Sequence, residues 1–207
     1  MDKIQLKITC DETTWELQPF LACKNMSEAL SLNRKNYTFL KAERLETPIG
    51  DMLAVADENN LHFLGFCDQT LLPDELKRLQ KKTDSFIIHG RISIIDEIER
   101  ELDAYFTGIS ALFKTPLALD APLFTRKAWE TLRQIPPGET RSYKQQACHV
   151  GNQKATRAVA QANRHNRIAI AVPCHRVIGI DGTLTGYSGG IERKEWLLNH
   201  EKHYFRM

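Results

Sequence analysis

The chain has 207 residues, enough for one large domain or two small ones, each with its own core. Apolar and charged fractions of 42% and 26% are those of a soluble globular protein, and the opening Met-Asp-Lys-Ile-Gln-Leu-Lys alternates polar and apolar, so neither a signal peptide nor a membrane span is expected. Five cysteines, at 10, 23, 67, 148 and 174, are odd in number and include no C-x-x-C pair, which argues against a disulfide framework and for an intracellular, reducing compartment.

The net charge of +2 hides a division. Residues 1–120 hold 14 Lys/Arg and 20 Asp/Glu, a net of −6, whereas residues 121–207 hold 14 Lys/Arg and 6 Asp/Glu, a net of +8. Such asymmetry points to a polyanionic partner for the C-terminal part, although a solvated basic face has the same composition.

Residues 1–36 form an extension to which no role is assigned. Residues 4–9 and 14–17 alternate like short strands, and 27–32 could start a helix. A strand is expected over 37–45, a turn at Thr47-Pro48-Ile49-Gly50, a strand over 52–56, a turn at 58–60 and a strand over 61–66. Short links make these an antiparallel meander. Helices are expected over 74–82, opened by Pro73, and from about 92 to 106, with Ile94, Ile95, Ile98, Leu102, Tyr105 and Phe106 at helical spacing. His62 and His89 read as isolated. Residues 108–122, with two prolines, read as an interdomain linker, so an α/β domain over 37–120 precedes a second domain over 121–207.

That second domain reads as mostly helical. Thr125 can cap a helix with the apolar stripe Ala128, Trp129, Leu132 and Ile135, which Pro136-Pro137-Gly138 ends. Ser142 and Gln145 fit a capping box. The short helix they open runs to Gly151, and Asn152 can cap the next, from 153 to about 163, giving a helix-turn-helix. On a 100° wheel Ala155, Ala158, Val159 and Ala162 share one face, and Lys154, Arg157, Gln161 and Arg164 another. The cationic face suits phosphate contact, and a solvated surface helix would look similar.

The stretch 168–178, Ile-Ala-Ile-Ala-Val-Pro-Cys-His-Arg-Val-Ile, carries the strongest chemical signal. Pro173 halts an apolar run and fixes the turn that presents Cys174, with His175 and Arg176 beside it. Positive neighbours lower a thiol pKa, and the thiolate is the nucleophile; a buried cysteine acting as a small hydrophobe is the alternative. Five glycines among residues 179–190 make a loop able to approach a ligand by its backbone, without the Lys-Ser/Thr ending of a P-loop. A last helix over 191–201 carries Trp196 and Leu197 as anchors, and Glu201 could reach back to His175 to complete a Cys-His-Glu series.

These residues resemble the O6-alkylguanine-DNA alkyltransferases, also called methylated-DNA–protein-cysteine methyltransferases. The resemblance rests on Pro173-Cys174-His175-Arg176, on Gly138-Glu139-Thr140-Arg141-Ser142-Tyr143, on Ala155-Thr156-Arg157-Ala158-Val159, on Asn166, on Tyr187-Ser188-Gly189-Gly190 and on Lys194-Glu195-Trp196-Leu197-Leu198. It covers 121–203 almost completely and 37–110 more loosely. It implies a ribonuclease-H-like α/β domain, with a small antiparallel sheet and helices, followed by a mostly α, winged-helix-like domain with the helix-turn-helix.

What the resemblance implies for function is repair of O6-alkylguanine in double-stranded DNA, with O4-alkylthymine as a secondary substrate, by irreversible transfer of the alkyl group to Cys174. The helix bearing Ala155 and Ala158 would enter the minor groove, with Lys154 and Arg164 at the DNA and Arg157 filling the gap left by a flipped base. Tyr143 would help protonate the leaving guanine. Val177, Tyr187 and Ser188 would contact the base, Glu201 would polarise His175, and Asn166 would brace the turn that holds Cys174. No cofactor, no metal, no membrane and a monomer are expected: the zinc that some members bind has no matching set here, Cys67 and His62 being too few. The compartment would be the cytoplasm in a bacterium or the nucleus in a eukaryote. A cysteine hydrolase using Cys174, His175 and Glu201, and a DNA-binding sensor that does no chemistry, are the competing classes.

Overall fold

The computed structural model describes residues 38–205. The segments read at 4–9, 14–17 and 27–32, and Cys10 and Cys23, lie outside them. The first half is a four-stranded sheet of β1 (Thr38–Leu45), β2 (Met52–Ala56), β3 (Leu61–Phe66) and β4 (Ser85–His89), in the order β3-β2-β1-β4. The expected antiparallel meander is present, and β4 adds to it a parallel pairing with β1. The sheet is therefore mixed. Reaching β4 takes a helical crossover, α1 (Leu72–Thr83), which is what parallel neighbours require.

The pleat divides the core. Leu53 and Val55 of β2 face one way and pack with Leu40, Phe63, Ile87 and the apolar stripe Leu72, Leu76 and Leu79 of α1. Met52, Ala54 and Ala56 face the other way, against Ile95, Ile98, Leu102 and Tyr105 of α2 (Ser93–Phe106) and against the C-terminal half. Both faces of β2 are buried, which is why this strand reads as an unbroken apolar run. His62 and His89 are not isolated: His62 lies 2.7 Å from Asp57 and His89 lies 3.4 Å from Glu43.

The second half comprises α3 (Leu123–Leu132), β5 (Arg141–Ser142), α4 (Tyr143–His149), α5 (Thr156–Arg164), a 3₁₀ turn over Cys174–Arg176, β6 (Val177–Ile178) and α6 (Ile191–Tyr204). The capping box forms as read, with Ser142 Oγ accepting from Gln145 N and Gln145 Oε1 from Ser142 N. Two other caps differ. Pro122, not Thr125, stands at the N-cap of α3. Asn152 makes a local turn, its Oδ1 accepting from Lys154 N, and α5 begins only at Thr156.

The halves are joined through the outer edge of β3. Leu64 N donates to Arg167 O and Ala169 N to Leu64 O, both at 2.8 Å. The apolar run that leads to Cys174 is thus hydrogen-bonded to the sheet of the first half. Beyond that contact Ile170 takes φ +68°, a region costly for a β-branched residue, and the chain folds back toward Pro173.

Candidate active site

Asn166 organises the approach to the cysteine. Its side-chain carbonyl accepts from Ile168 N at 3.0 Å, and its Nδ2 donates to Val172 O at 2.7 Å and to Cys174 Sγ at 3.1 Å. One amide therefore spans the apolar run and touches the sulfur. Cys174 is 5% exposed.

Behind the cysteine lies a buried polar chain. His175 Nε2 meets Glu201 Oε1 at 2.8 Å, so with a carboxylate as partner this nitrogen carries the proton. His175 Nδ1 is then a free lone pair, buried and without a partner among the described residues. Glu201 also accepts from Tyr105 Oη at 2.9 Å, from Gly138 N at 3.1 Å and from the Arg176 guanidinium. Gly138 reaches it from a left-handed conformation, φ +78°, after two prolines. Arg176 is completed by Ile135 O at 2.6 Å.

The electrostatics follow from burial and partners. Burial alone would raise the Glu201 pKa, but His175 and Arg176 outweigh it and hold the carboxyl well below the usual carboxylate range. Burial pushes His175 down against the pull of Glu201, which keeps the imidazole neutral at pH 7. The Cys174 thiol is pushed up by burial, opposed by the Asn166 hydrogen bond and by Lys194. The expectation of a thiol acidified by its sequence neighbours is therefore corrected: His175 is neutral, and Arg176 is committed to Glu201.

The other expected site residues fall into two groups. Tyr143, Tyr187, Ser188 and Arg164 line one cleft of about 540 Å³ together with Gly186 and with Gln69–Leu71 of the first half. Tyr143 Oη donates to Thr185 O at 3.2 Å, and the Tyr187 hydroxyl is buried with no partner among the described residues. Gly189 is required next to them, because a Cβ there would lie 2.7 Å from both the Phe66 and the Tyr187 rings. Val177 stands apart on β6, fully buried.

On α5 the buried residues are Val159, Ala162 and Asn163, and Arg157, Ala158, Gln161 and Arg164 are exposed. Ala158 shares the outer face with Arg157, whereas Val159 and Ala162, read on the same face as Ala158, are buried. Ala155 is half-buried at the N-cap, and Lys154 lies in the preceding turn rather than on the helical face. Three residues to which the sequence assigns no part in this polar chain or beside it complete the site: Arg176, Tyr105 and Lys194. Arg176 lies inside the Pro-Cys-His-Arg motif; Tyr105 and Lys194 read only as parts of helices.

A sheet that buttresses a cysteine-bearing helical half is an architecture with solved counterparts. An O6-methylguanine methyltransferase from Mycobacterium tuberculosis superposes with a TM-score of 0.69 at 38% identity, over 81% of this chain and 95% of that one. A structure of the M. tuberculosis protein in complex with DNA gives 0.67 at 38% identity, over 81% and 94%. The methylated-DNA–protein-cysteine methyltransferase of Methanosarcina acetivorans is 42% identical over 156 residues, 75% of this chain and 94% of its own. The constitutive enzyme of that name from Bacillus subtilis is 38% identical over 158 residues, 76% of this chain and 92% of its own. Residues 37–119 match the ribonuclease-like domain of 6-O-methylguanine DNA methyltransferase, and residues 123–203 match its DNA binding domain. The chain belongs to the 6-O-methylguanine DNA methyltransferase family and is an alkyltransferase-type DNA repair enzyme. Among the described residues no helix is long and apolar enough to cross a membrane, and no three His, Cys, Asp or Glu side chains group as a metal site.

Proposed function

We propose that this protein takes the alkyl group from O6 of guanine in duplex DNA onto Cys174, once per molecule. The observation that carries the reading is a buried thiol held by Asn166 beside a histidine whose proton is fixed by Glu201 and whose other nitrogen is free. A nucleophilic cysteine with an oriented base is the arrangement that activates a thiol for attack on carbon.

In this reading the thiol proton passes to His175 Nδ1 through a bridging water. The sulfur attacks the alkyl carbon, the carbon–O6 bond breaks, and a proton from Tyr143 makes guanine a neutral leaving group. Burial raises the Tyr143 pKa, so it enters the step as a protonated phenol able to donate. The product is a thioether without a hydrolysable bond, so the acceptor is consumed. An intrahelical base is out of reach of a thiol this deep, which is why base extrusion is part of the proposal. The exposed face of α5, with Arg157, Ala158 and Arg164, is the surface offered to the minor groove, and Arg157 is assigned to the space of the extruded base. The protein acts as a monomer on O6-alkylguanine, and its domains divide at about residue 120.

The test is intact-mass and peptide mass spectrometry after mixing with DNA containing O6-methylguanine. One added methyl per molecule, on Cys174 alone, is expected, and none in Cys174→Ser. Methyl removal by Cys174→Ser, or many turnovers per molecule as in a hydrolase, would sink the proposal.

A further inference from the structure

Displacement at carbon runs in line: sulfur, the attacked carbon and O6 share one axis. Any further atoms on that carbon project sideways, so a group larger than methyl needs room beside Cys174, which is itself 5% exposed. Two cavities do not serve. One of about 60 Å³, lined by Trp129, Asn166 and Arg167, is too small for a ring, since an apolar cavity that holds benzene measures about 150 Å³. Another of about 600 Å³ is lined by Asp68, Glu192 and Arg193 and by neither site tyrosine. The cleft of about 540 Å³ is lined by Tyr143, Tyr187 and Ser188. Tyr187 also meets His175 edge to face, with ring centroids 6.4 Å apart, so this cleft shares a wall with the Cys174 turn.

The first half supplies another part of the lining: Gln69, Thr70 and Leu71, in the turn from β3 to α1. The turn is fixed by its backbone. Gln69 N donates to Phe66 O at 3.3 Å, Leu72 N to Gln69 O at 3.0 Å and Glu75 N to Leu71 O at 3.0 Å. Gly189, next to Ser188, packs on the same Phe66, so closely that a Cβ would lie 2.7 Å from its ring. The first-half turn and the Tyr187 loop are thus held together through Phe66. Leu72 goes into the core, whereas Leu71 is left 54% exposed at the N-cap of α1. Among the described residues that line the cleft, Arg164 alone is charged. A fixed, uncovered leucine in a cleft without carboxylates fits an apolar group.

We propose that Leu71 is a specificity-determining residue for alkyl transfer, the first-half contact for O6 substituents that are apolar and larger than methyl. This rests on the acceptor role of Cys174. The step is the same for a larger group: the sulfur–carbon bond forms as the carbon–O6 bond breaks, the thiol proton goes to His175, and guanine takes one from Tyr143. What changes is the covered surface. A methyl group ends at the attacked carbon, whereas an arylmethyl group extends from it along the cleft to Leu71.

The test compares free O6-methylguanine with free O6-benzylguanine and needs no DNA. The rate of mass addition at Cys174 is followed for each base, and the benzyl-to-methyl rate ratio is read for each protein. Leu71→Ala should lower that ratio by about five- to ten-fold, and Leu71→Asp by about ten-fold or more. Leu71→Met, which restores an apolar side chain of similar size, should keep the ratio within about two-fold of wild type. The side chain is exposed, so none of the three changes disturbs the core. A ratio unchanged in Leu71→Ala and Leu71→Asp overturns the proposal, and so does a wild type that takes methyl but not benzyl. Failure of the acceptor reading has a different pattern: Cys174 then stays unmodified by both bases and by O6-methylguanine DNA, and the inference falls with it.

Discussion

Arg176 and Glu201 meet where water is excluded, with Nε to Oε2 at 2.9 Å and Nη2 to Oε1 at 2.8 Å. Glu201 is fully buried and Arg176 is 4% exposed. A buried pair adds little over well-packed apolar residues, but deleting one partner strands the other charge, at a cost of about 3–5 kcal/mol. Arg176→Met is therefore expected to lose about 3 kcal/mol in urea denaturation at pH 7. The pH dependence has a definite sign. The Glu201 pKa is depressed in the folded state, so its contribution is complete above the ordinary carboxylate range and is lost as pH falls through the folded value. The gap between wild type and Arg176→Met should narrow in acid. A gap that is constant from about pH 7 to pH 3 would assign the loss to packing instead.

Asn166 gives a kinetic prediction. Its Nδ2 is the hydrogen-bond donor on the Cys174 sulfur and helps offset the burial that raises the thiol pKa. Hydrogen bonds to charged groups are worth about 1.5–3 kcal/mol. Asn166→Ala should slow single-turnover methyl transfer by about ten- to a hundred-fold. It should also move the thiol midpoint upward. A slower reaction with an unmoved midpoint would leave Asn166 as a brace for Val172 and Ile168 only.

Most of the site's chemistry was legible in the sequence because it is local. Pro173-Cys174-His175-Arg176 is contiguous, and the Ser142–Gln145 capping box spans a single turn. The Glu201–His175 contact was legible only as a reach between two elements. What stayed hidden depends on tertiary burial. Lys194 and Tyr105 carry ordinary helical spacing, and nothing local says that one is sealed beside β6 or that the other donates to Glu201. Arg176 was visible as a cation, but its commitment to Glu201 was not, so it was credited with acidifying a thiol that burial pushes up. The strand β4 was missed because Ser85-Phe-Ile-Ile-His is short and its partner β1 lies across a helix. The wheel drawn from residue 153 joined Ala158 to Val159 and Ala162 in one apolar face; the helix starts at 156, and its packed face is set by Val159, Ala162 and Asn163.

Arg193 links the first half to the loop that carries Tyr187 and Ser188. Its Nε donates to Ile49 O at 2.7 Å, its Nη1 to Gly189 O at 3.0 Å, and its guanidinium lies 4.2 Å from the Phe66 ring centroid. Asp68 pairs with it, but that carboxylate side chain is 64% exposed. Arg193→Met should slow the reaction with free O6-methylguanine by about five- to ten-fold, through a displaced Gly189 and Ser188. Asp68→Asn should change it less than about two-fold, as expected for an exposed pair. Equal losses in the two variants would shift the weight from the carbonyl contacts to the ion pair.

The last prediction separates DNA binding from base extrusion. Arg157 and Lys154 are both exposed cations, but they do not share a face: Arg157 is on the outer side of α5 next to Ala158, and Lys154 is in the turn before the helix. A residue that holds a base outside the duplex offsets part of an unstacking cost of a few kcal/mol. Arg157→Ala should therefore slow transfer from duplex DNA by about ten-fold or more while weakening binding little. Free O6-methylguanine is already unstacked, and its reaction with Cys174 should be nearly unchanged in that variant. In the proposed complex Lys154→Ala removes only a phosphate contact. It should weaken binding, flatten its salt dependence, and leave transfer near normal once DNA is saturating. A single-turnover assay of both variants on both substrates decides the matter. Equal losses on duplex and free base for Arg157→Ala would mean that the arginine supports the active site itself, and the extrahelical role would have to be withdrawn.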